Sequence, residues 1–237
     1  MFEAIKQKMK LWSAFRTVRT LEKKVGDRWS EEGGEAGLTR RRYDGYDVYL
    51  EHQRSKLDFI LARRPKWMKK YEQTLAPALT QRLQALPFEL NGKKALCLGA
   101  RLGAEVRAFL AAGCFAVGID LNPGKNNPYV LYGDFHHLPF PDGSADIVYT
   151  NAFDHVYKID KWMAEVRRVL AKDGLLIVEA VDGSQKRESV GFYEALWWKD
   201  TKDVAELFRK YHFTVAHQTP ITFPFPGTCF CLRAEAV

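Results

Sequence analysis

The sequence predicts an α/β fold: a mostly parallel sheet with helices on both faces, preceded by an N-terminal helical extension. Three observations carry this. Lys94 to Asp120 reads as strand, glycine turn, helix, strand and acid. Further short apolar runs follow at 129–132, 145–150 and 175–181, with a helical pattern between the last two. Before Lys94, three helical patterns precede the first strand.

Residues 1–25 place Phe2, Ile5, Met9, Trp12, Phe15, Val18, Leu21 and Val25 three and four apart, with lysines and arginines between them. This is a basic amphipathic helix. Its stripe can pack on this chain, on a second copy, or on an anionic membrane surface. Gly26 to Thr39, with Glu31-Glu32-Gly33-Gly34-Glu35, reads as a flexible acidic linker. Arg40-Arg41-Arg42 reads as a solvated basic run, with phosphate or sulfate binding as the alternative. Tyr46 to Ala62 reads as a helix that Pro65 breaks. Lys66 to Leu86 is a second helical pattern, ended by Pro87. His52, Gln53 and Lys56 share one helical face or nearly so, and read as a solvated face, with a pocket-facing position as the alternative.

Ala95 to Leu98 is an apolar run too short for a helix, which suits a buried parallel strand. Gly99 and Gly103 bracket a turn. Val106, Phe109 and Leu110 then recur at helical spacing, and Gly113 is a C-terminal cap. Ala116 to Ile119 make a second strand ending on Asp120. Such a βαβ unit binds ligands at the carboxyl ends of its strands. A dinucleotide fingerprint needs its second glycine so that backbone can approach a pyrophosphate, and Arg101 stands there. S-adenosylmethionine has no pyrophosphate and leaves that position freer. Asp120 suits a ribose diol in either case, and a structural βαβ unit without a ligand is the third reading.

Leu121 to Asn127 reads as a loop too short for a crossover helix. Tyr129–Tyr132, Ala145–Thr150 and Leu175–Val181 read as strands, and 158–170 as a helix. Phe192, Tyr193, Trp197 and Trp198 occupy the next loop, either walling a pocket or docking the loop on the core. A helix over 201–210 and two strands over 213–219 and 228–233 close the chain.

Hydrophobic content of 46% and charged content of 27% suit a globular protein, and no apolar run approaches a membrane span. Lysines interrupt any signal-peptide core, so the expected location is cytoplasmic, with membrane-peripheral contact open. Residues 1–90 hold 19 Lys and Arg against 12 Asp and Glu, while residues 91–237 hold 17 of each. The net charge of +7 therefore sits in the extension, which disfavours nucleic acid as a partner of the domain itself. Cys97, Cys114, Cys229 and Cys231 lack metal-ligand spacing and read as small core residues of a reduced protein.

Further motifs follow the βαβ unit. They are Tyr132-Gly133-Asp134-Phe135, Leu138-Pro139-Phe140, Asp142 to Tyr149, Asn151, Phe153, Asp154, His155-Val156, Glu165 to Leu170, and Lys172-Asp173-Gly174 to Ile177. From about Leu90 to Leu232 this series resembles the class I S-adenosylmethionine-dependent methyltransferases, in particular the branch with small-molecule substrates. Three positions depart from the usual pattern: Arg101 for a glycine, Asp173 before Gly174, and Asp154 where many members carry glutamate.

The resemblance implies a Rossmann-like seven-stranded sheet over residues 90–237, with 1–89 as the extension, and S-adenosyl-L-methionine as cofactor without a metal. It puts Gly99, Arg101 and Gly103 along the methionine end and Asp120 on the ribose hydroxyls. Leu121 would pack on the sugar or adenine, Asp134 on the adenine amine, Phe135 beside the ring, and Asn151 against the methionine or the acceptor. Glu105 is either a cap or a site residue. The acid–base candidates are His136, His137, Asp154 and His155. Of these, His155 oriented by Asp154 is the expected catalytic pair, with a structural hydrogen-bonding role for His155 as the other reading.

The expected activity is methyl transfer to a small-molecule or glycan acceptor, on oxygen. The alternatives are an RNA or protein methyltransferase recruited by the extension, or a non-catalytic binding protein. Residues 1–25 are expected to contact a second copy or a membrane surface.

Overall fold

The computed structural model describes residues 2–30, 37–183 and 191–235. The acidic Glu31–Glu35 stretch and residues 184–190 of the aromatic loop lie outside the described residues. In chain order the elements are α1 (Phe2–Val25), β1 (Trp29–Ser30), β2 (Leu38–Arg41), α2 (Tyr46–Arg63) and α3 (Pro65–Gln84), then β3 (Lys94–Leu98), α4 (Ala104–Ala111), β4 (Phe115–Asp120) and β5 (Val130–Tyr132). There follow β6 (Ala145–Thr150), a one-turn 3₁₀ helix (Phe153–His155), α5 (Ile159–Val169), β7 (Leu170–Val181), β8 (Leu196–Trp198), α6 (Thr201–Lys210), β9 (Phe213–Ile221) and β10 (Gly227–Ala234).

The main sheet has the order β5-β4-β3-β6-β7-β10-β9. β3 to β7 run parallel, and β10 lies antiparallel between β7 and β9. The chain leaves β3 for β4 and β5 on one side, then returns to β6 and β7 on the other. The crevice where the order reverses is the ligand position of a doubly wound sheet.

Alternation along the strands builds two cores. Leu96, Leu98, Val148, Leu176, Val178 and Phe230 face α5 and α6, where Trp162 and Phe208 are fully buried. Ala95, Cys97, Tyr149, Ile177, Cys229 and Cys231 face α3 and α4, with Leu79, Leu83 and Phe109. The four cysteines are thus core residues, and Cys229 and Cys231 share one face as their spacing requires.

A second, three-stranded antiparallel sheet, β1-β2-β8, has no counterpart in the sequence reading. β2 pairs Leu38 to Trp198 and Arg40 to Leu196 across more than 150 residues, so local pattern could not reveal it. This sheet corrects the reading of the arginine run as solvated. Arg41 is only 3% exposed. Its guanidinium donates to the carbonyls of Glu194 at 2.8 Å, Gly26 at 2.8 Å and Gly191 at 3.1 Å. It also lies 4.4 Å over the Trp29 ring. Of the aromatics expected in the next loop, Trp198 lies in β8, is buried and donates to the Val181 carbonyl at 2.9 Å.

α1 has two halves. Val18, Leu21 and Val25 are buried where the helix packs on α2. Ile5, Met9, Trp12 and Phe15 are exposed, Met9 and Trp12 at 67%. Among the described residues no helix is long and apolar enough to cross a membrane.

α3 is tied to the sheet by an ion pair. Arg82 Nε and Nη2 donate to the two oxygens of Glu179 at 2.8 and 3.0 Å, and Nη1 donates to the Phe223 carbonyl at 3.0 Å. Glu179 is 3% exposed, and burial raises its carboxyl pKa against the opposing pull of Arg82. Removing one partner of such a pair leaves a buried charge uncompensated. Arg82→Ala is therefore expected to destabilise the protein by about 3–5 kcal/mol. Arg82→Met with Glu179→Leu should recover much of that loss. Urea unfolding of the three proteins checks both expectations.

Candidate functional site

The loop after β3 is shaped by three left-handed residues: Gly99 (φ 71°), Arg101 (φ 40°) and Gly103 (φ 89°). A Cβ on Gly99 would stand 2.7 Å from that of Ala152, and one on Gly103 2.9 Å from that of Tyr129. Both glycines are thus demanded by space as well as by φ. Arg101 takes the unfavourable region with a side chain, at a cost of about 1–2 kcal/mol. The structure offsets this locally. Its backbone N–H donates to Asp120 Oδ2 at 2.9 Å, its Nη2 donates to Tyr71 Oη at 3.1 Å, and its guanidinium covers the Tyr71 ring at 4.9 Å.

The loop borders a cavity of about 280 Å³ at the carboxyl ends of the strands. Gly99, Arg101, Asp120, Leu121, Phe135 and Asn151 all line it, as do Asp154 and His155. Asp120 accepts Asn122 N–H on Oδ1 at 2.7 Å as well as Arg101 N–H on Oδ2. Each oxygen keeps a second lone pair for a hydroxyl. Gly103 and Asp134 do not line the cavity wall; Gly103 shapes the loop, and Asp134 adjoins Gly133 and Phe135, which do. Asp134 accepts from Tyr46 Oη at 2.5 Å and from His136 N and Nδ1 at 2.9 and 3.0 Å. Burial works against its ionisation, but the bonds from His136 and Tyr46 prevail and hold its pKa below the usual range.

Asn151 Nδ2 donates to Glu105 Oε1 at 3.0 Å. Glu105 is buried, and its other oxygen has no hydrogen-bond partner among the described residues. Burial pushes its pKa up to about 7 against the pull of Arg101. It orients Asn151 from behind the wall.

On the far side of the cavity α2 presents one polar face. Tyr46, Tyr49, Gln53 and Lys56 recur at intervals of three, four and three. Tyr49 Oη donates to the His155 carbonyl at 3.0 Å, and Gln53 Nε2 to the Tyr193 carbonyl at 2.8 Å. Lys56 Nζ meets His155 Nε2 at 2.5 Å. Gln53 and Lys56 line the cavity, and His52 is fully buried with Nδ1 2.9 Å from Tyr43 Oη. The expectation of a solvated face for these three is thereby corrected. The helix lies over the strand ends, so the face that sequence pattern marks as polar meets the site rather than water.

His155 Nδ1 lies 2.9 Å from the Tyr193 carbonyl, which orients the ring; Asp154 Oδ1 stands 3.5 Å from Nε2. Burial, then the charge of Lys56, pushes His155 far below its ordinary value. Burial, then Arg101, pushes Lys56 down to about 8, with Asp154, Glu194 and Asp120 opposing. The other two histidines stand away from the cavity. His136 is buried, with Nδ1 on Asp134 and Nε2 accepting from Lys158 N at 3.2 Å. His137 is bonded to Lys161 on the exposed side.

Sequence reasoning did not single out Tyr46, Tyr49, Glu194, Trp67 or Tyr71 at this site. The three–four–three spacing of the α2 face was a signal for the first two. Glu194 reaches the cavity only through the β2–β8 pairing, which has no local signature.

Glycines that let the backbone approach, a carboxylate placed for a diol and the Phe135 ring beside it fit a nucleoside bearing an amino acid tail. Residues 96–178 match the family model of a methyltransferase domain. No curated protein gives a significant match. Among solved structures, 1,6-didemethyltoxoflavin-N1-methyltransferase of Burkholderia thailandensis, with bound 1,6-didemethyltoxoflavin and S-adenosylhomocysteine, is 16% identical. That match covers 88% of this chain and 100% of the other, with a TM-score of 0.58. An S-adenosylmethionine-dependent methyltransferase from Aquifex aeolicus is 14% identical over 71% of this chain and 97% of its own, with a TM-score of 0.57. A chain from the complex of the Haloferax volcanii Trm112 methyltransferase activator with a methyltransferase is 21% identical over 71% and 92%, with a TM-score of 0.55. At these identities the structural likeness speaks for the fold, and the domain match for the activity. Residues 96–178 therefore carry a methyltransferase domain, whose cofactor is S-adenosylmethionine.

Proposed function

We propose that this methyltransferase acts on a small-molecule or glycan acceptor and methylates an oxygen. The observation that carries the reading is one cavity whose lining brings Gly99, Arg101, Asp120 and Phe135 together with Gln53 and Lys56 of α2 and with Asp154, His155 and Glu194. When bound, the cofactor supplies a methyl group on a sulfonium, already activated for displacement. The chain's own work is alignment, exclusion of water and removal of the acceptor's proton. The roof suits an acceptor that enters whole, and the ionisable groups beneath it suit a hydroxyl. The toxoflavin-precursor methyltransferase, a structural neighbour, acts on a small molecule, which is in keeping with this reading.

In the proposed arrangement Asp120 accepts the ribose hydroxyls, with Leu121 and Phe135 against sugar and base. Asp134 accepts the adenine amine. Gly99, Gly103 and Arg101, the last braced by Tyr71, border the methionine tail, and Asn151 faces the methionine or the acceptor. Asp154 and His155 lie on the acceptor side. We further propose a functional division at residue 90, with the catalytic domain behind it and the extension as roof and surface contact. Radiolabelled S-adenosylmethionine, incubated with a fractionated cell extract, tests the acceptor class. Label is expected in the dialysable fraction; label in RNA or protein instead would overturn the reading.

The exposed Ile5, Met9, Trp12 and Phe15 on a helix that also carries Arg16, Arg19, Lys23 and Lys24 support a surface contact, with an anionic membrane or with a second copy. The contact belongs to the first half of α1, because Val18, Leu21 and Val25 are already buried.

Two predictions follow from this arrangement. Asp120→Ala should weaken S-adenosylhomocysteine binding by about 1–3 kcal/mol. Calorimetry measures this, with circular dichroism confirming the fold; equal affinity would remove Asp120 from the cofactor site. Replacing Ile5, Met9 and Trp12 together by serine should leave that affinity unchanged. It should reduce sedimentation with phosphatidylglycerol vesicles or shift the size-exclusion volume. No change in either assay would show that the stripe makes no such contact.

A further inference from the structure

We propose that Lys56, supplied by the roof helix, is the group that takes the acceptor's proton, with His155 as the residue that positions its amine. The inference rests on the reading of the cavity as the methyl-transfer site. It begins with hydrogen-bond direction. A carbonyl oxygen only accepts, so the contact between His155 Nδ1 and the Tyr193 carbonyl at 2.9 Å puts a proton on Nδ1. In the neutral ring Nε2 then carries a lone pair and no proton. Lys56 Nζ lies on that lone pair at 2.5 Å, so Lys56 is the donor. The ring is held in this state from both sides. Tyr49 Oη bonds the His155 carbonyl, and Gln53 Nε2 shares the Tyr193 carbonyl. The imidazole nitrogen that would serve as a base is therefore already occupied.

A neutral amine that donates one N–H to Nε2 keeps its own lone pair for another partner. Lys56 lines the cavity, so that partner is the acceptor. The groups facing it come from every neighbouring element: Arg101 after β3, Asp120 at the end of β4, Asp154 and His155 after β6, Glu194 before β8, and His52 one turn away on α2. Burial and Arg101 disfavour the ammonium, the three carboxylates favour it, and the balance brings Lys56 down to about 8 from 10.5. An amine in that range is partly free at neutral pH.

In the transfer step the acceptor O–H bond breaks towards Nζ while the oxygen–carbon bond forms. The bond from the methyl carbon to sulfur breaks, and its electron pair goes to sulfur. The sulfonium becomes a neutral thioether and the amine becomes an ammonium, so charge is conserved. The ammonium then bonds His155 Nε2 until product release exposes it to solvent.

Two arms test the proposal. Competitive acetylation of the full chain with acetic anhydride, at saturating S-adenosylhomocysteine, is quantified at Lys56 by peptide mass spectrometry across pH. Lys56 is expected to titrate near 8; titration at the ordinary 10.5 would overturn the proposal without any acceptor being known. The second arm follows label from S-adenosylmethionine into the dialysable fraction of yeast extract against pH. Wild-type rate should rise as Lys56 loses its proton. Lys56→Arg and Lys56→Met should fall by roughly 10²–10⁴-fold and lose that rise, with S-adenosylhomocysteine affinity kept. His155→Gln, whose amide oxygen accepts from Lys56, should keep the rise and stay within about tenfold of wild type. If Lys56→Arg keeps both rate and rise while His155→Gln abolishes them, the base is His155 and the proposal is wrong. If no label enters the fraction with wild type, the small-acceptor reading fails, and the acetylation arm still decides the state of Lys56.

Discussion

One face of α2 fixes the geometry of the site. Tyr46 bonds Asp134, Tyr49 the His155 carbonyl, Gln53 the Tyr193 carbonyl, and Lys56 the His155 ring. These partners come from three separate segments: the loop after β5, the turn after β6, and the strand-edge loop before β8. A shift of the helix by one turn would leave donors and acceptors unpaired in a half-buried place, each at a cost of about 1–3 kcal/mol. α2, the loop after β5, the turn after β6 and the loop before β8 are therefore set relative to one another by polar complementarity. Apolar packing alone, which tolerates sliding, would not set that register.

The loop between β3 and α4 follows a second constraint, close packing of its backbone against neighbouring side chains. Gly99 and Gly103 meet it with bare backbone. Arg101 meets it differently: its amide is tied to Asp120 and its side chain is laid on Tyr71 of α3. The same α3 is held to β7 through Arg82 and Glu179, and Glu179 itself borders the cavity. Arg101, where a glycine would be expected, is thus matched by an aromatic partner on α3, which ties that helix to the loop after β3.

Three cationic or titratable side chains show how tertiary structure overrules composition. Arg41, His52 and Lys56 lie in polar stretches that read as solvated, yet each makes a side-chain hydrogen bond inside the structure, His52 through Nδ1. Arg41 joins the carbonyl of Gly26, after α1, to those of Gly191 and Glu194, before β8. His52 stacks on Tyr193, ring centroids 5.0 Å apart, and helps hold the segment whose carbonyl orients His155. Burying such groups is costly unless they are bonded, so their presence marks places where geometry is being specified.

What the sequence by itself determined was everything that repeats locally. Short apolar runs too brief for helices placed β3, β4, β6 and β7, and the spacing of Cys229 and Cys231 put both on one face of β10. The glycines at 99 and 103 marked the turn after β3 and the acid at 120 the end of β4, because left-handed backbone and a strand-terminal carboxylate leave their mark on residue type. The sequence also carried the α2 spacing, but not what that face would meet. Only the tertiary structure decided that Gln53 and Lys56 look into the cavity, that Arg41 is interior, and that β2 and β8 pair across the whole domain. Residue type records whether a side chain is polar; whether it finds water or another polar group depends on segments more than a hundred residues away, and only the folded chain brings them together.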